Sequence, residues 1–357
     1  MKKTPLHAQH LKLNAKMVPF GGFEMPLSYR SIAEEHDSVR TRVGMFDVSH
    51  MGEFIASGPA ALTFMETVFT NHVKRLAIGD IQYGFFLYEN GTVVDDLLVY
   101  RLAEERYLMV VNASNIDKDW AWLQPFRLPD MTLTNESENF AEIALQGPRA
   151  ERLLQSFTEE PLGSLPYFAA QTLKLKGQDV LVSRTGYTGE DGFELYAPPA
   201  IITEFWSELC DAGVEPIGLG ARDTLRFEAA LPLYGHELSD AITPLEAGLT
   251  FALHWDQPFI GREALMKQKK AGLKRRLVGI EMSHKGIMRE GYRLYDEDRP
   301  VGDITTGYRL PTQEHALALA YVELPYHRIG TELTVDIRGK RYPVIVRNKK
   351  FREKQTK

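Results

Sequence analysis

Hydrophobic residues recur at helical spacing in several segments of the first 270 residues. The clearest run ends just before Gly213 and comprises Ile202, Phe205, Trp206, Leu209 and Cys210. This spacing predicts an amphipathic helix with a glycine stop. Because Cys210 lies on the apolar face, it is interpreted as a core residue and not as a nucleophile.

Two further helices are predicted by the same spacing. The first carries an apolar stripe of Leu62, Met65, Val68 and Phe69. The second carries the stripe Ile116, Trp120 and Leu123. Ser114 and Asp117 fit a capping box at the start of that second helix.

Alternating apolar and polar positions predict strands both among these helices and beyond them. In the first 270 residues the predicted strands are 93–101, 106–111, 143–146, 172–176, 180–184 and 193–196. After Arg276 the alternation dominates, with strands predicted at 277–282, 301–305, 316–322, 333–337 and 342–346. A mixed helix and strand region followed by an all-β domain is therefore expected, with a boundary near 270–277.

Composition narrows the class of protein. The chain has 357 residues, of which 44% are hydrophobic and 25% charged, as in soluble proteins of two or three domains. Its 42 Lys and Arg against 48 Asp and Glu give a net charge of −6, which argues against a general nucleic-acid binder. One cysteine excludes a disulfide framework. Since neither a membrane-spanning apolar run nor a secretory signal is visible, a cytoplasmic protein without membrane contact is expected.

The negative charge is unevenly distributed. Residues 340–357 hold eight Lys and Arg and a single acid, Glu353. This end is either a solvated, frayed terminus or a docking patch for an acidic partner or a polyanionic ligand tail.

Several common catalytic motifs are missing. The chain has no Walker A loop, no H-E-x-x-H pair and no G-x-S-x-G elbow, and residues 218–223 (GLGARD) lack the third glycine of a dinucleotide fingerprint. The ten histidines do not fall at metal-ligand spacings, so no metal is expected. The remaining chemistry is that of acids, tyrosines and arginines.

The first candidate constellation is a pair of aspartates in a predicted strand, Asp95 and Asp96. Their side chains point to opposite faces, and both faces are apolar beyond the pair. A carboxylate against an apolar surface needs a hydrogen-bond partner, water or a ligand. Alternatively, one aspartate caps the preceding turn and the other faces solvent.

The second constellation is the segment 184–196 (RTGYTGEDGFELY), in which glycine occurs at every third position from Gly186 to Gly192. Such glycines let the backbone approach a ligand closely. Glu194 follows in an apolar strand and suits an amino-amidine edge, whose two N–H donors meet two carboxylate oxygens. The alternative is a loop followed by a surface strand.

The third constellation, residues 220–228 (GARDTLRFE), is typical of the start of a helix. Its arginines, Arg222 and Arg226, could bind a carboxylate bidentately. They could equally pair with Asp223 and Glu228 on the helix surface.

Taken together, these segments closely resemble the aminomethyltransferase, or T-protein, family of the glycine cleavage system. The resemblance extends from Thr4 to about Val346. It includes 20–26 (FGGFEMP), 44–53 (GMFDVSHMGE), 93–97 (VVDDL), 111–115 (VNASN), 184–194 and 218–223. The number of motifs, in order and at the family's spacing, makes this a strong signal.

The resemblance implies an α+β fold with three domains in a cloverleaf around a central folate channel. Residues 1–50 and 140–270 would form a discontinuous folate-binding domain, and residues 51–139 an inserted ferredoxin-like domain. Residues 277–357 would form a C-terminal β-barrel or jelly-roll domain, in agreement with the strand pattern.

The resemblance also implies the reaction. The family transfers the one-carbon unit of an aminomethyl group, held on the lipoyl arm of the H-protein, to tetrahydrofolate. The products are 5,10-methylenetetrahydrofolate, ammonia and the dihydrolipoyl H-protein. The alternatives are a folate-dependent demethylase or another one-carbon transferase on the same scaffold, and a non-catalytic folate-binding protein.

Site residues follow from the same resemblance. Asp96 matches the catalytic aspartate, and no metal is implied. The positions that match the folate site are Glu194, Arg222, Tyr83, Asn112, Tyr187 and Met51. The chain departs from the family at its end, where 347–353 (RNKKFRE) lacks the proline and tyrosine of the segment that closes on the folate tail. Phe351 is the candidate for the tyrosine's place.

Overall fold

The computed structural model describes residues 1–310 and 313–352. The helices are α1 (His7–Lys12), α2 (Ile32–Thr41), α3 (Ala61–Val68), α4 (Ile116–Leu123), α5 (Ala150–Leu154), α6 (Pro199–Asp211), α7 (Leu219–Glu228), α8 (Pro244–Ala247) and α9 (Arg262–Ala271).

The strands up to the start of α6 are β1 (Lys16–Phe20), β2 (Phe23–Ser28), β3 (Gly44–Asp47), β4 (Gly52–Ser57), β5 (Ile81–Leu87), β6 (Val93–Ala103), β7 (Arg106–Val111), β8 (Thr132–Asn135), β9 (Ala141–Gln146), β10 (Ala170–Leu175), β11 (Gln178–Ser183) and β12 (Gly192–Ala197). The later strands are β13 (Glu215–Pro216), β14 (Arg275–Met282), β15 (Arg293–Asp296), β16 (Arg299–Tyr308), β17 (Ala316–Glu323), β18 (Glu332–Ile337) and β19 (Lys340–Arg347).

The chain divides into two compact units, and the first comprises Met1–Phe86 and Asp95–Leu225. It contains the β1–β2 hairpin, a six-stranded sheet in the order β10-β11-β12-β9-β3-β13 and a five-stranded sheet in the order β5-β6-β7-β4-β8. Its largest core packs apolar residues of β9 to β12 against α5 and α6, with Trp206 fully buried. Apolar residues of α7, including Ala221 and Leu225, pack with β3 and β9 in a smaller cluster.

The second unit comprises Leu87–Val94 and Arg226–Lys357. Its strands close into a barrel in the order β14-β17-β16-β15-β18-β19, with the apolar positions of the strands filling the interior. The predicted all-β C-terminal domain is therefore confirmed. The mixed helix and sheet class is confirmed as well, while the boundaries of the three domains stay a prediction.

The predicted helices are present at the predicted positions, but one predicted helix cap is not formed. On α6 the residues Ile202, Phe205, Trp206 and Leu209 are buried, and Cys210 is half-buried against the same core. The prediction of a capping box between Ser114 and Asp117 was wrong. The helix α4 begins after Asn115, whose side chain makes no cap hydrogen bond, and Ser114 is exposed. A capping box is present instead at α2, between Ser31 and Glu34.

All eleven predicted strands are present, with ends that differ by at most three residues. The predictions missed the strands whose pattern is short or interrupted, namely β1 to β5, β8, β13 and β15. Proline at position 19 and two glycines at the turn hide the β1–β2 hairpin from an alternation test.

The second unit holds a buried ion pair that sequence reasoning left open. The side chains of Arg226 and Glu237 are both fully buried, with Nη1 and Oε2 2.5 Å apart. Thr305 and Thr306 donate to the other carboxylate oxygen of Glu237, at 2.6 and 2.7 Å. Arg226 therefore forms an ion pair inside this unit and is not exposed for binding a ligand carboxylate.

The basic C-terminal end is largely engaged where it is described. Arg347 lies 2.5 Å from Glu281, and Lys349 donates to the carbonyl of Ala247 at 2.9 Å. Phe351 is buried against the ring of Phe227, with 4.9 Å between the ring centroids. Residues 353–357, which carry part of the predicted charge, lie outside the described residues. A docking role for this end stays a prediction.

No helix among residues 1–310 and 313–352 is long and apolar enough to cross a membrane.

Candidate functional site

The aspartate pair lies near the start of β6. Asp95 is fully buried, whereas Asp96 is only half-buried. Neither aspartate caps the turn before the strand. Of the two carboxylates, Asp96 is therefore the one accessible to a ligand.

Two side chains from neighbouring strands hold the Asp96 carboxylate. Tyr83, on β5, donates its hydroxyl to Oδ2 at 2.9 Å. Asn112, which directly follows β7, donates its amide to Oδ1 at 2.9 Å. Because β5, β6 and β7 are neighbours in one sheet, the strand order itself brings the three side chains together.

Burial raises the pKa of Asp96 from 3.8 to about 7, and the negative charge of Asp95 adds to the rise. The hydrogen bonds from Tyr83 and Asn112 oppose it, since they stabilise the ionised form. Burial and the Asp96 charge also raise the pKa of Tyr83 well above 10, so its hydroxyl stays a donor. A carboxyl group with a pKa near neutrality can both accept a proton and stabilise positive charge.

Asp95 anchors the loop that carries Asn112. Its Oδ2 accepts the backbone N–H of Asn112 at 3.0 Å. Its Oδ1 accepts the side-chain amides of Asn112 and Asn115 at 2.9 and 2.6 Å. Asn112 therefore bridges the two carboxylates, and the position of Asp96 depends on that of Asp95.

Glu194 lies on β12 in the other large sheet of the same unit, and only 7% of its surface is exposed. The hydroxyl of Thr185 donates to its carboxylate and is itself paired with Ser183 at 2.7 Å. Burial raises the pKa of Glu194, while Thr185 and the positive charge of Arg222 lower it. This buried acid does not belong to a surface strand, and a ligand with matching N–H donors would relieve its desolvation.

Arg222 lies in the first turn of α7, with its guanidinium carbon 4.8 Å from the centroid of the Tyr187 ring. Within 1–310 and 313–352 its guanidinium donates no hydrogen bond to another residue. The surface pairing with Asp223 or Glu228 is therefore not formed by Arg222. Its charge acts on Glu194, and its donors are available to a ligand anion.

The remaining folate-site candidates are Tyr187 and Met51. Tyr187, in the glycine-rich loop, is near enough to Tyr83 to raise its pKa. Met51 precedes β4 and packs against two apolar clusters of the first unit. Hydrogen bonds thus join Asp96, Tyr83 and Asn112, while Tyr187, Arg222 and Glu194 are linked by ring stacking and charge. Met51 contacts this unit through apolar packing.

His50 is fully buried beside Phe20 and Phe23. Burial, reinforced by the charge of Arg222, lowers its pKa to about 4, so the imidazole is neutral near neutral pH. No group of three or more His, Cys, Asp or Glu in the described part of the chain could hold a metal ion.

Sequence reasoning missed several buried acids of this unit. Glu53 and Glu142 are almost fully buried, and burial raises the pKa of each well above 4.5. Asp119, on α4, is completely buried. A signal for Asp119 was present, because it follows Ile116 by three residues and precedes Leu123 by four, on the apolar face of the helix.

Two family models match the chain. The model described as "GCVT N-terminal domain" matches residues 6–257, and the model described as "Glycine cleavage T-protein C-terminal barrel domain" matches residues 275–352. Together they extend over almost the whole sequence, and the second coincides with the closed barrel.

Curated relatives and a solved structure agree with these models. An aminomethyltransferase of Lysinibacillus sphaericus is 49% identical over 97% of this chain and 96% of its own length. One of Symbiobacterium thermophilum is 51% identical over 95% and 94%, respectively. The crystal structure of glycine cleavage system aminomethyltransferase T from Bartonella henselae superposes with a TM-score of 0.93, at 33% identity and over 99% and 98% of the two chains. The chain therefore belongs to the glycine cleavage T-protein family of aminomethyltransferases.

Proposed function

We propose that this aminomethyltransferase carries out its reaction at the site around Asp96, with tetrahydrofolate as acceptor and the lipoyl arm of an H-protein as donor. The methylene carbon leaves the lipoyl sulfur and the amino nitrogen and bridges the two acceptor nitrogens, N5 and N10. The two N–H protons of the acceptor go to the released ammonia and the released thiol. The observation that carries the proposal is a carboxylate with a near-neutral pKa, held between a hydroxyl and an amide donor.

Asp96 is the catalytic group in this proposal. Its ionised carboxylate orients an N–H of the acceptor and stabilises the positive charge that develops as the carbon–sulfur bond breaks. Burial strengthens this electrostatic effect, because fewer water dipoles compete with the carboxylate. The same burial raises the pKa of Asp96, so the active form is gained as pH rises through about 7.

Tyr83 and Asn112 act on the catalytic carboxylate, one at each oxygen. Their two hydrogen bonds fix the plane of the carboxyl group before a ligand arrives, which lowers the cost of reaching the reactive geometry. Asn112 is fixed in turn by Asp95.

Glu194 is the proposed partner of the amino-amidine edge of the pterin. Two parallel N–H donors of that edge match the two oxygens of a carboxylate. Arg222, whose charge favours ionised Glu194, steadies this acid and offers donors to the ligand. Tyr187 and Met51 supply ring and thioether surface for the flat heterocycle.

The H-protein is proposed as the source of the aminomethyl group, as the family implies. A cytoplasmic location, and the lack of nucleic-acid and membrane partners, stay predictions.

The test of this function is ammonia release from H-protein loaded with the aminomethyl group, measured with and without tetrahydrofolate. We expect release to require the chain and to accelerate strongly with tetrahydrofolate. Unloaded H-protein is the control for background ammonia. A rate indifferent to folate would refute the proposal, and turnover of a small methylated amine without H-protein would favour a demethylase.

The test of the folate site compares Glu194→Gln with Glu204→Gln, since Glu204 is an exposed glutamate on α6. Folate binding should weaken in the first variant and stay at the wild-type level in the second. Equal dissociation constants in both variants would remove Glu194 from the site.

A further inference from the structure

Asp119 is a buried acid that no step of the proposed reaction uses. It lies on α4, none of its surface is exposed, and neither carboxylate oxygen receives an N–H or O–H donor within the described residues. An ionised carboxylate in such a position would be highly unfavourable, because it would lack both water and compensating hydrogen bonds. The carboxyl group of Asp119 must therefore be protonated or have a partner that compensates its charge.

The partner of Asp119 is Asp95. The side chains of Asp119 and Asp95 are within hydrogen-bonding distance of each other. Two carboxylates can form such a bond only if one of them carries the proton. Asp95 already accepts three hydrogen bonds, from the backbone and amide of Asn112 and the amide of Asn115. Asp95 is thus equipped to be the anion, and Asp119 the donor.

We propose that Asp119 is protonated in the working enzyme and donates a hydrogen bond to Asp95, and that it acts through Asp95 and Asn112 as a positioning residue for Asp96. The chain of contacts runs from α4 through Asp95 to the amide that also holds the catalytic carboxylate. The inference rests on the proposed role of Asp96 where activity is measured, and it has a separate structural readout described below.

The electrostatic surroundings of Asp119 favour the protonated form. Burial raises its pKa well above 3.8, and the charges of Asp95 and Asp96 and the hydrogen bond to Asp95 add to the rise. Only Lys118 acts in the opposite direction. Burial also raises the pKa of Asp95, but the bonds from Asp119, Asn112 and Asn115 lower it. The pKa of both acids is raised, and it is the three hydrogen bonds that Asp95 accepts and Asp119 lacks that place the proton on Asp119.

The consequence for catalysis is a fixed negative charge on Asp95. That charge is one of the causes that hold the pKa of Asp96 near 7. If the donor on α4 is lost, Asp95 takes up a proton more readily and repels Asp96 less. The acidic limb of the pH–rate profile then moves to lower pH, and the orientation of Asn112 is lost with it.

The structural test is infrared spectroscopy of the full-length protein at neutral pH, in ordinary and heavy water. The difference between wild type and Asp119→Asn should contain the C=O band of one protonated carboxyl group, shifted by deuterium. The control is Asp117→Asn, two residues away on the same helix and exposed, which should give no such band. A difference spectrum without this band would overturn the proposal whatever the function of the protein.

The kinetic test compares Asp119→Ala with Asp119→Asn in the H-protein assay across pH. Alanine removes the donor, so we expect kcat to fall about 10- to 100-fold, with the acidic limb displaced downwards. Asparagine keeps a neutral N–H donor of similar size. It should recover most of the lost kcat and restore the position of the limb.

Three outcomes would contradict the proposal. A limb displaced equally by asparagine and alanine would mean that Asp119 is ionised in the wild type. A limb moved by neither variant would mean a purely structural role. Failure of asparagine to recover kcat would show that donation to Asp95 is not what Asp119 provides. If Asp119→Ala does not fold, the asparagine variant and its infrared difference still decide the case.

Discussion

Replacing the carboxyl group of Asp96 should make the protein more stable, and the gain should depend on pH. In the folded chain the pKa of Asp96 is about 7, against 3.8 for an unperturbed aspartate. Folding therefore opposes the ionisation of this group. Its contribution to stability is fully present below about pH 3.8 and is lost as pH rises through about 7. Asp96→Asn removes the titration altogether.

The size of the effect follows from the two pKa values. Each pKa unit corresponds to about 1.4 kcal/mol, so the cost of the charged form is about 2 kcal/mol at about pH 5. It rises to about 4 kcal/mol at about pH 8. The free energy of unfolding of Asp96→Asn minus that of wild type should thus be about 2–3 kcal/mol larger at the higher pH. Rearranged hydrogen bonds to Tyr83 and Asn112 are independent of pH and cancel in this difference.

The assay is urea unfolding of both proteins at the two pH values, with equal denaturant slopes as the condition for comparing them. Asp117→Asn, which removes an exposed carboxyl group from α4, is the matched control and should show a much smaller difference. If the stabilities of Asp96→Asn and wild type change in parallel between the two pH values, the raised pKa of Asp96 is refuted. The explanation of its catalytic role through burial would then be refuted with it.

Three further changes test other parts of the structure. Glu194→Gln should raise the dissociation constant for tetrahydrofolate about 10- to 100-fold, because a charge-assisted hydrogen bond is lost. Equilibrium binding measures this change, with Glu204→Gln as the control. Tyr83→Phe removes a donor to the ionised carboxylate of Asp96, so the acidic limb of the pH–rate profile should move to higher pH. An unmoved limb would contradict the proposed role of this hydrogen bond. Arg226→Met leaves Glu237 charged and buried without its partner and should destabilise the second unit by about 3–5 kcal/mol. Thermal unfolding measures this loss, and Arg226→Met combined with Glu237→Gln should recover most of it.

Much of the fold could be predicted from periodicity because the helices and barrel strands bury one face. The stripe on α6 and the alternation of β14 to β19 are direct consequences of that burial. The hairpin of β1 and β2 could not be predicted in this way, since its residues are mostly half-buried or exposed and show no clear alternation. The α4 cap was wrong because Asn115, the actual cap residue, uses its side chain to bind Asp95 instead.

The residue types of the site could be predicted from the sequence, but the hydrogen bonds that connect them could not. The sequence alone could not choose between Asp95 and Asp96, because both sit on apolar faces of one strand. Their difference arises from partners elsewhere in the chain. Asn115 donates to Asp95, Tyr83 donates to Asp96, and Asn112 donates to both. Only the pairing of β5, β6 and β7 brings these together. For Asp119, a charged residue on an apolar helical face was the available signal.

The most direct test of the central claim is a single turnover of aminomethyl transfer at saturating tetrahydrofolate, measured across pH for wild type and Asp96→Asn. We expect the wild-type rate to rise with pH through about 7. We also expect a loss of about 10²- to 10⁴-fold in the variant, with folate still bound and no acidic limb near that pH. A variant that transfers the group at a near-normal rate, or retains the same limb, would contradict the assignment of catalysis to Asp96.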